Sequence, residues 1–322
     1  MSDKWNSYKY VLKRVKKNGL DLRHASLQLR DNEELVLTAI QNNVWALTHA
    51  SFRLKIMDDI ALAAVTRDGN ILEYIDRCGW LNTYKNPESI YQAAVNNCPD
   101  AIKFIPSTHI TRELALIAVR ADPKNIQYVT KFTDDYEVVL HCVRSSAKFF
   151  YYVKDQLRDN ETLALEADYT TDGFYLLSNR LRNNKQIVLR AVSHNWKNVR
   201  AAIYGQIENG FIKCQDDFDI ALVACKHAEC NLDCLSFNMR SNKIIMLTAA
   251  KHINISSYIY SSHPLACDGE FLCECAIYAS TWKYCHILCR ADILFKKLNI
   301  LVNIIQFSTI TSIAVLLFTF KG

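Results

Sequence analysis

Residues 31–50, DNEELVLTAIQNNVWALTHA, read as a short amphipathic helix followed by a shorter one. Asp31 stands where a helix N-cap belongs, and Glu33 and Glu34 fall in the first turn, where carboxylates favour the positive helix end. Leu35 and Ala39 are four apart and share a face, with Leu37 and Ile40 widening it. Asn42 and Asn43 read as a helix exit and turn, after which Trp45, Leu47 and Ala50 carry the apolar spacing into a second helical segment.

The rest of the chain repeats this phrase around a small residue in the first helix: Ala39, Ala64, Ala94, Ala118, Cys142, Ala167, Ala191, Ala224, Ala249 and Ala276. Successive anchors are 24 to 33 residues apart, most often 24 or 25. Four residues before every anchor stands an aliphatic: Leu35, Ile60, Ile90, Leu114, Val138, Leu163, Ile187, Ile220, Ile245 and Leu272. Eight residues before the anchor most units carry a capping type, such as Asp31, Asn86, Asp134 and Asp159; Ile56 and Ile110 are the exceptions, with Asp58 and Thr111 as substitutes. A period of this length built from helix pairs predicts an all-α solenoid of about ten or eleven repeats. The small anchor lets the backbones of neighbouring first helices approach, and the aliphatic one turn earlier fills the groove. One such unit buries too little apolar surface to fold alone, so each stabilises its neighbours. Composition agrees: half the residues are hydrophobic, and 8 Gly and 5 Pro are too few for an all-β chain of tight turns.

The predicted organisation has four parts: residues 1–30, a basic capping repeat; 31–213, regular helical repeats; 214–295, Cys-rich degenerate repeats; 296–322, a hydrophobic tail. In the first, Arg14 takes the anchor position, and Leu22 and Ala25 align with Leu47 and Ala50. Residues 1–30 hold eight Lys or Arg against Asp3 and Asp21, so the chain's net +5 comes from this end. A charged terminal repeat is expected of a solenoid, whose last face meets water. Contact with nucleic acid or anionic lipid is the sharper alternative, but no helix-turn-helix, zinc-finger or RNA-recognition signature accompanies it.

The phrases DNEELVLTAIQNN, DDIALAAVTRDGNILEYI and RDNETLALEA resemble the repeat of the domain-of-unknown-function 4116 family, found in giant DNA viruses of amoebae and in some bacteria. The resemblance covers residues 21–203 well and 214–288 more loosely, and the family's unit spans about two of these short repeats. It implies a repeat type and, through the family's distribution, a viral protein acting in a host cell; it implies no activity.

Two insertions break the rhythm, around Gly79, Trp80 and Pro87 and over residues 204–213; both are expected as loops. Cysteines crowd the later units: Cys214, Cys225, Cys230, Cys234, Cys267, Cys273, Cys275, Cys285 and Cys289, with His227 and His286 nearby. A zinc site would draw on these residues, yet no CxxC pair occurs among them. Cys225 also stands where Val65, Val95, Val119, Val143 and Val192 stand elsewhere, so buried structural thiols are the expectation. No metal, cofactor or catalytic residue is assigned: GxSxG, HExxH, Walker A and GxGxxG motifs are absent, and the nine His scatter over different units. Tyr74, Phe104, Tyr128 and Tyr152, each ten residues after an anchor, are expected as core or groove residues of the second helix.

No apolar run follows Met1 and the thiols number 12, which together predict an intracellular protein with reduced cysteines. Residues 298–320 carry no charge over a length that can span a bilayer, but eight of them are polar. A membrane anchor and a cap over the end of the solenoid remain the two readings of that tail. The function expected is a non-enzymatic helical-repeat scaffold for a protein partner, with a membrane-anchored repeat protein, or a zinc-binding or cryptic enzymatic module in the Cys-rich region, as the alternatives.

Overall fold

The computed structural model describes residues 3–203, 216–253, 255, 264–268, 270, 271, 274 and 275. Among these no strand occurs, and ten long first helices recur in order, which number the repeats used below. The chain divides into two compact units, Met1–Ser178 and Asn179–Gly322. Inside the first, the first helices of repeats 1 to 7 pack sequentially, Tyr8–Lys17 against Glu33–Asn42 and so on to Glu161–Glu166. Inside the second, Lys185–His194, Phe218–Ala224 and Lys243–Ala250 pack in the same way.

All nine described anchors, Ala39 to Ala249, are fully buried, as are the aliphatics four residues before them except for a 3% exposure at Leu114. Ala276 and Leu272 lie outside the described residues. The buried stripe of repeat 2 is Leu35, Val36, Ala39 and Ile40, while Leu37 is half-buried. At 3.6 residues per turn Val36 lies beside Leu35 and Ile40 on the inner face, whereas Leu37 has already turned away.

In repeats 1, 2 and 6 the second half of the pair is itself two short helices, so the unit is a triplet there. A first α-helix ends at an Asn, Asp or Ser in extended conformation, and a six-residue 3-10 helix follows, as in Val44–His49 and Ala147–Tyr152. A one-turn α-helix closes the unit, as in Leu27–Arg30, Phe52–Lys55 and Asp155–Arg158. The turn residue accounts for the 3-10 geometry. Asn43 Oδ1 accepts from the Trp45 N–H at 3.0 Å, and Asn18 and Asp122 repeat this bond with Leu20 and Lys124. Such an Asx turn fixes the chain direction and starts a tight helix, whose period of three puts Val44, Leu47 and Ala50 inside. Trp45 consequently turns outward, 45% exposed, instead of joining the core. The one-turn helix begins at Ser26, Ser51 or Ser236, whose hydroxyls accept from Leu29, Leu54 and Met239 N–H.

In most repeats the helix cap sits one residue later than the spacing suggests, whereas Asn86 and Thr111 stand at the N-cap as expected. Asn32, Thr111, Asp135, Asn160, Asn184, Asp217 and Asn242 accept the N-terminal N–H groups of their helices. Asp31 instead accepts from Ser51 Oγ and from Arg53 Nε at 3.1 Å, tying the end of repeat 1 to the end of repeat 2. Asp58, inside its helix, accepts from the Lys85 and Asn86 N–H groups. Asn32→Ala is therefore expected to cost about 1 kcal/mol of stability in urea unfolding; an unchanged midpoint would place the cap elsewhere.

Neighbouring first helices are also clasped at their N-terminal edges. Arg112 pairs with Asp135 at 2.6 Å and Glu137 at 2.9 Å, Lys185 with Asp217 and Asp219, and Lys243 with Asp268 and Glu270. Tyr8 Oη plays the same part with Glu34 at 2.9 Å. Arg112 holds Asp135 and Glu137 below the usual carboxylate range, Lys154 does so for Asp134, and Ser51 with Arg53 for Asp31. Because their folded pKa values are depressed, these groups stabilise the fold above the unfolded carboxylate value and lose that contribution as pH falls through the folded ones. The melting temperature is expected to hold down to roughly pH 4 and to drop below it; a flat profile would show the clasps contribute nothing.

Two expectations change in this unit. Around Gly79 the extra residues lengthen the second helix into an α-helix, Ile71–Arg77, rather than forming a loop. Gly79 ends it at φ 72°, with Gly79 N–H donating to Asp76 O at 2.8 Å and Trp80 N–H to Ile75 O at 3.2 Å, a Schellman closure. Pro87 is then the first residue of the next helix. In repeat 7 the first helix stops at Glu166, so the buried Ala167 caps it instead of lying within it. The Tyr169 hydroxyl, buried, donates to Ala164 O, and the Asp168 N–H turns to Val143 O of repeat 6 at 3.0 Å. No helix among the described residues is long and apolar enough to cross a membrane. The insertion at 204–213 and the tail at 298–320 lie outside the described residues.

Candidate functional site

The repeat leaves a defined outer row. Ten residues after the anchor, at the end of the 3-10 helix or, for Tyr74, within the α-helix Ile71–Arg77, repeats 1 to 6 carry His24, His49, Tyr74, Phe104, Tyr128 and Tyr152. None is buried: Tyr128 and Tyr152 are exposed, and His49, Tyr74 and Phe104 are half-buried. They form a surface instead of a core because the 3-10 helix already fills the interior with the residue two positions earlier: Leu22, Leu47, Leu72, Ile102, Ile126 and Phe150. The last residue of the one-turn helix supplies Arg30, Lys55 and Arg158, with Trp80 at the equivalent place in repeat 3.

Between repeats 1 and 3 this surface is both cationic and aromatic. Arg23 Nε donates to His24 Nε2 at 2.9 Å, and the His24 ring lies 5.0 Å from Trp5. Lys55 Nζ sits 5.5 Å over the Trp80 ring. Trp80 meets Phe52 and Tyr74 edge to face at 6.3 and 5.4 Å, and Tyr74 meets Trp45 at 6.4 Å. Burial lowers the His49 pKa, and the fields of Arg23, Lys55, Arg30 and His24 lower it further. Burial likewise lowers Lys55, with Arg30 adding to it against the opposing pull of Cys78. Arg30 Nε is buried without a hydrogen-bond partner. Asp31, the adjacent carboxylate, is engaged by Ser51 and Arg53. Sequence spacing showed the aromatic period but not the cations, because Arg23, Arg30, His49 and Lys55 follow one another at separations of 7, 19 and 6 residues that only the triplet brings together.

The thiols form a second cluster. Cys225, Cys230 and Cys234 are buried, and Cys230 contacts both neighbours through sulfur, its pKa pushed up to about 12 by the Cys225 thiol and by burial. His227 Nε2 is 2.9 Å from Val192 O. Among the described residues no group of three or more His, Cys, Asp or Glu is placed to hold a metal ion. Cys214, Cys273, Cys285, Cys289 and His286 lie outside the described residues, and Cys267 falls in the short helix Pro264–Cys267. Cys225→Val, which installs the side chain of five other repeats, is expected to leave the melting temperature nearly unchanged; a large loss accompanied by loss of bound zinc would overturn this. An open depression of about 520 Å³ on the first-helix side, lined by Gln41, Asp59, Leu62, Ala63, Thr66 and Arg67, presents no nucleophile beside a base.

These features define an all-α helical-repeat protein. Residues 8–55 and 111–158 match the model of a domain of unknown function, DUF4116. Each match begins at a first helix or its cap and ends with a one-turn helix, so one family unit spans two repeats. The matches are narrower than the resemblance read from the sequence: DDIALAAVTRDGNILEYI and most of RDNETLALEA fall outside them. Those stretches lead into the lengthened helix of repeat 3 and the shortened one of repeat 7. No curated protein and no solved structure matches the chain.

Proposed function

We propose that this protein is a non-catalytic scaffold that binds another protein through the outer face of its 3-10 and one-turn helices in repeats 1 to 3. The observation that carries the reading is the patch of Trp45, Phe52, Tyr74 and Trp80, with Trp45 45% and Phe52 65% exposed. Exposed aromatics in contact with one another are characteristic of protein interfaces, because they lose little conformational entropy on binding and bury large areas. The Schellman closure at Gly79 and the Asx turn at Asn43 hold Trp80 and Trp45 in place, so the patch is pre-organised.

The test uses the full chain as bait in its source cells, followed by titration of the identified partner against purified wild type and the Trp45→Ser/Phe52→Ser variant. Both side chains are exposed, so the variant should retain its helical circular dichroism and bind at least tenfold more weakly. Equal binding by the variant, or failure of the wild type to bind any protein, sinks the proposal. The membrane-anchored alternative is separated by deleting residues 298–322: an anchor predicts release from carbonate-washed membranes with the melting temperature unchanged, and a cap predicts a lower melting temperature.

A further inference from the structure

We infer that the face formed by the 3-10 helices of repeats 1 and 2 and the one-turn helices beside them receives the carboxylates of an acidic peptide segment, held by Arg23, Arg30, Lys55 and the two histidines His24 and His49. The inference rests on the scaffold reading for its class of partner and adds the chemistry that this partner must carry.

Four features point the same way. First, the charged and titratable groups acting on His49 are Arg23 and His24 on Gly19–His24, Arg30 on Leu27–Arg30 and Lys55 on Phe52–Lys55, all cationic or imidazole. Like charges held this close raise the energy of the empty face, and an anion placed among them relieves it. Second, Arg30 Nε is buried and unpaired, a guanidinium donor that has left water without acquiring an acceptor. A buried donor in that state gains from any acceptor that reaches it, and the planar fork of Arg suits a carboxylate. Third, Arg158, at the equivalent place in repeat 6, donates from Nε to Phe150 O and from Nη2 to Tyr151 O, both at 3.0 Å, while Arg240 in repeat 9 has the same unpaired Nε as Arg30 and pairs through Nη1 with a carboxylate, Asp233, at 3.5 Å. Fourth, the cationic cluster runs into the aromatic patch through Lys55 over Trp80, so an acidic segment with apolar residues beside it would match both halves.

The same face suits nucleic acid less well. Binding to a phosphate backbone draws on many fixed cations, whereas here two of the five groups are imidazoles and only Arg23, Arg30 and Lys55 are permanently charged. Single strands also need open ring faces on which bases stack. The rings of this patch stand edge to face against one another, and Lys55 covers Trp80.

A bound carboxylate favours the protonated form of His49, so binding takes up a proton and strengthens as pH falls while the ligand's own carboxylates stay ionised.

The experiment measures fluorescence anisotropy of a labelled peptide alternating Glu with Leu, titrated with the full chain at low salt. Its Gln counterpart and a single-stranded thymidine oligonucleotide of equal length serve as comparison probes. The Glu peptide should bind at least tenfold more tightly than either, and Arg23→Gln/Lys55→Gln should remove that advantage, while Lys13→Gln/Lys17→Gln on the first helix should change it less than twofold. Affinity should rise severalfold from pH 7.5 to 5.5 in wild type and stay level in His49→Gln. Tighter binding of the oligonucleotide, equal binding of Glu and Gln peptides, or an equal effect of the Lys13→Gln/Lys17→Gln pair would each overturn the inference. Because Trp45 and Phe52 are untouched, loss of peptide binding with retained partner binding separates failure here from failure of the scaffold reading.

Discussion

Ala118→Trp is expected to unfold the middle of the first unit. Ala118 is fully buried where the first helix of repeat 5 packs between those of repeats 4 and 6. Its own carbonyl accepts from the Asp122 N–H at 3.0 Å and from Asn125 Nδ2 at 3.1 Å, so the backbone around it is pinned on two sides. Overpacking a core by a few methylenes costs about 1–3 kcal/mol, and an indole between two helix backbones exceeds what side-chain repacking can absorb. Repeat arrays share stability between neighbours, so the damage should spread: hydrogen exchange in repeats 4 and 6 should accelerate along with repeat 5, and the melting temperature should fall. A variant that melts like wild type would show that the anchors do not set the spacing of the first helices.

Gly69→Ala is expected to destabilise almost as strongly, although it adds one carbon. A Cβ at Gly69 would lie 2.3 Å from the Ala94 carbonyl oxygen and 2.8 Å from Cys98 Cβ. The first obstacle is the backbone of the next repeat's anchor, which cannot rotate aside. The Gly69 N–H also donates to Asn97 Oδ1 at 2.7 Å, and Asn97 Nδ2 returns to Thr66 O at 3.1 Å, so separating the two repeats breaks both bonds. The same clasp joins Gly19 to Asn42 and Asn42 to Lys16 O in repeats 1 and 2. A cost at the upper end of the overpacking range, about 3 kcal/mol, is expected in urea unfolding. Gly79→Ala provides the contrast: nothing lies within 4 Å of its Cβ, and only the left-handed φ opposes it, for about 1 kcal/mol. If both variants lose the same stability, the close approach at Gly69 is not what the glycine serves.

The repeat itself was legible because it depends on local pattern. An aliphatic four residues before a small residue marks the buried stripe of a helix wherever it occurs, and all nine described anchors are buried accordingly. The aromatic row at Tyr74, Phe104, Tyr128 and Tyr152 was legible as a row for the same reason. Its exposure was not, because apolar residues at helical spacing suit a core and a binding face equally well. The cap register was one residue off because Asp31 and Asn32 are both capping residues; Asp31 is drawn away by Ser51 and Arg53, which lie 20 and 22 positions later.

Sequence alone thus determined the all-α class, the period, the small anchors and the absence of recognisable catalytic motifs, since each follows from residues within one or two helical turns of each other. Tertiary structure decided which Asx residue caps, why Gly19 and Gly69 must lack a side chain, and that Arg23, Arg30, His49 and Lys55 share one face beside Trp80. Those outcomes depend on how closely successive repeats approach, and that distance is set by packing between units rather than by any pattern within one.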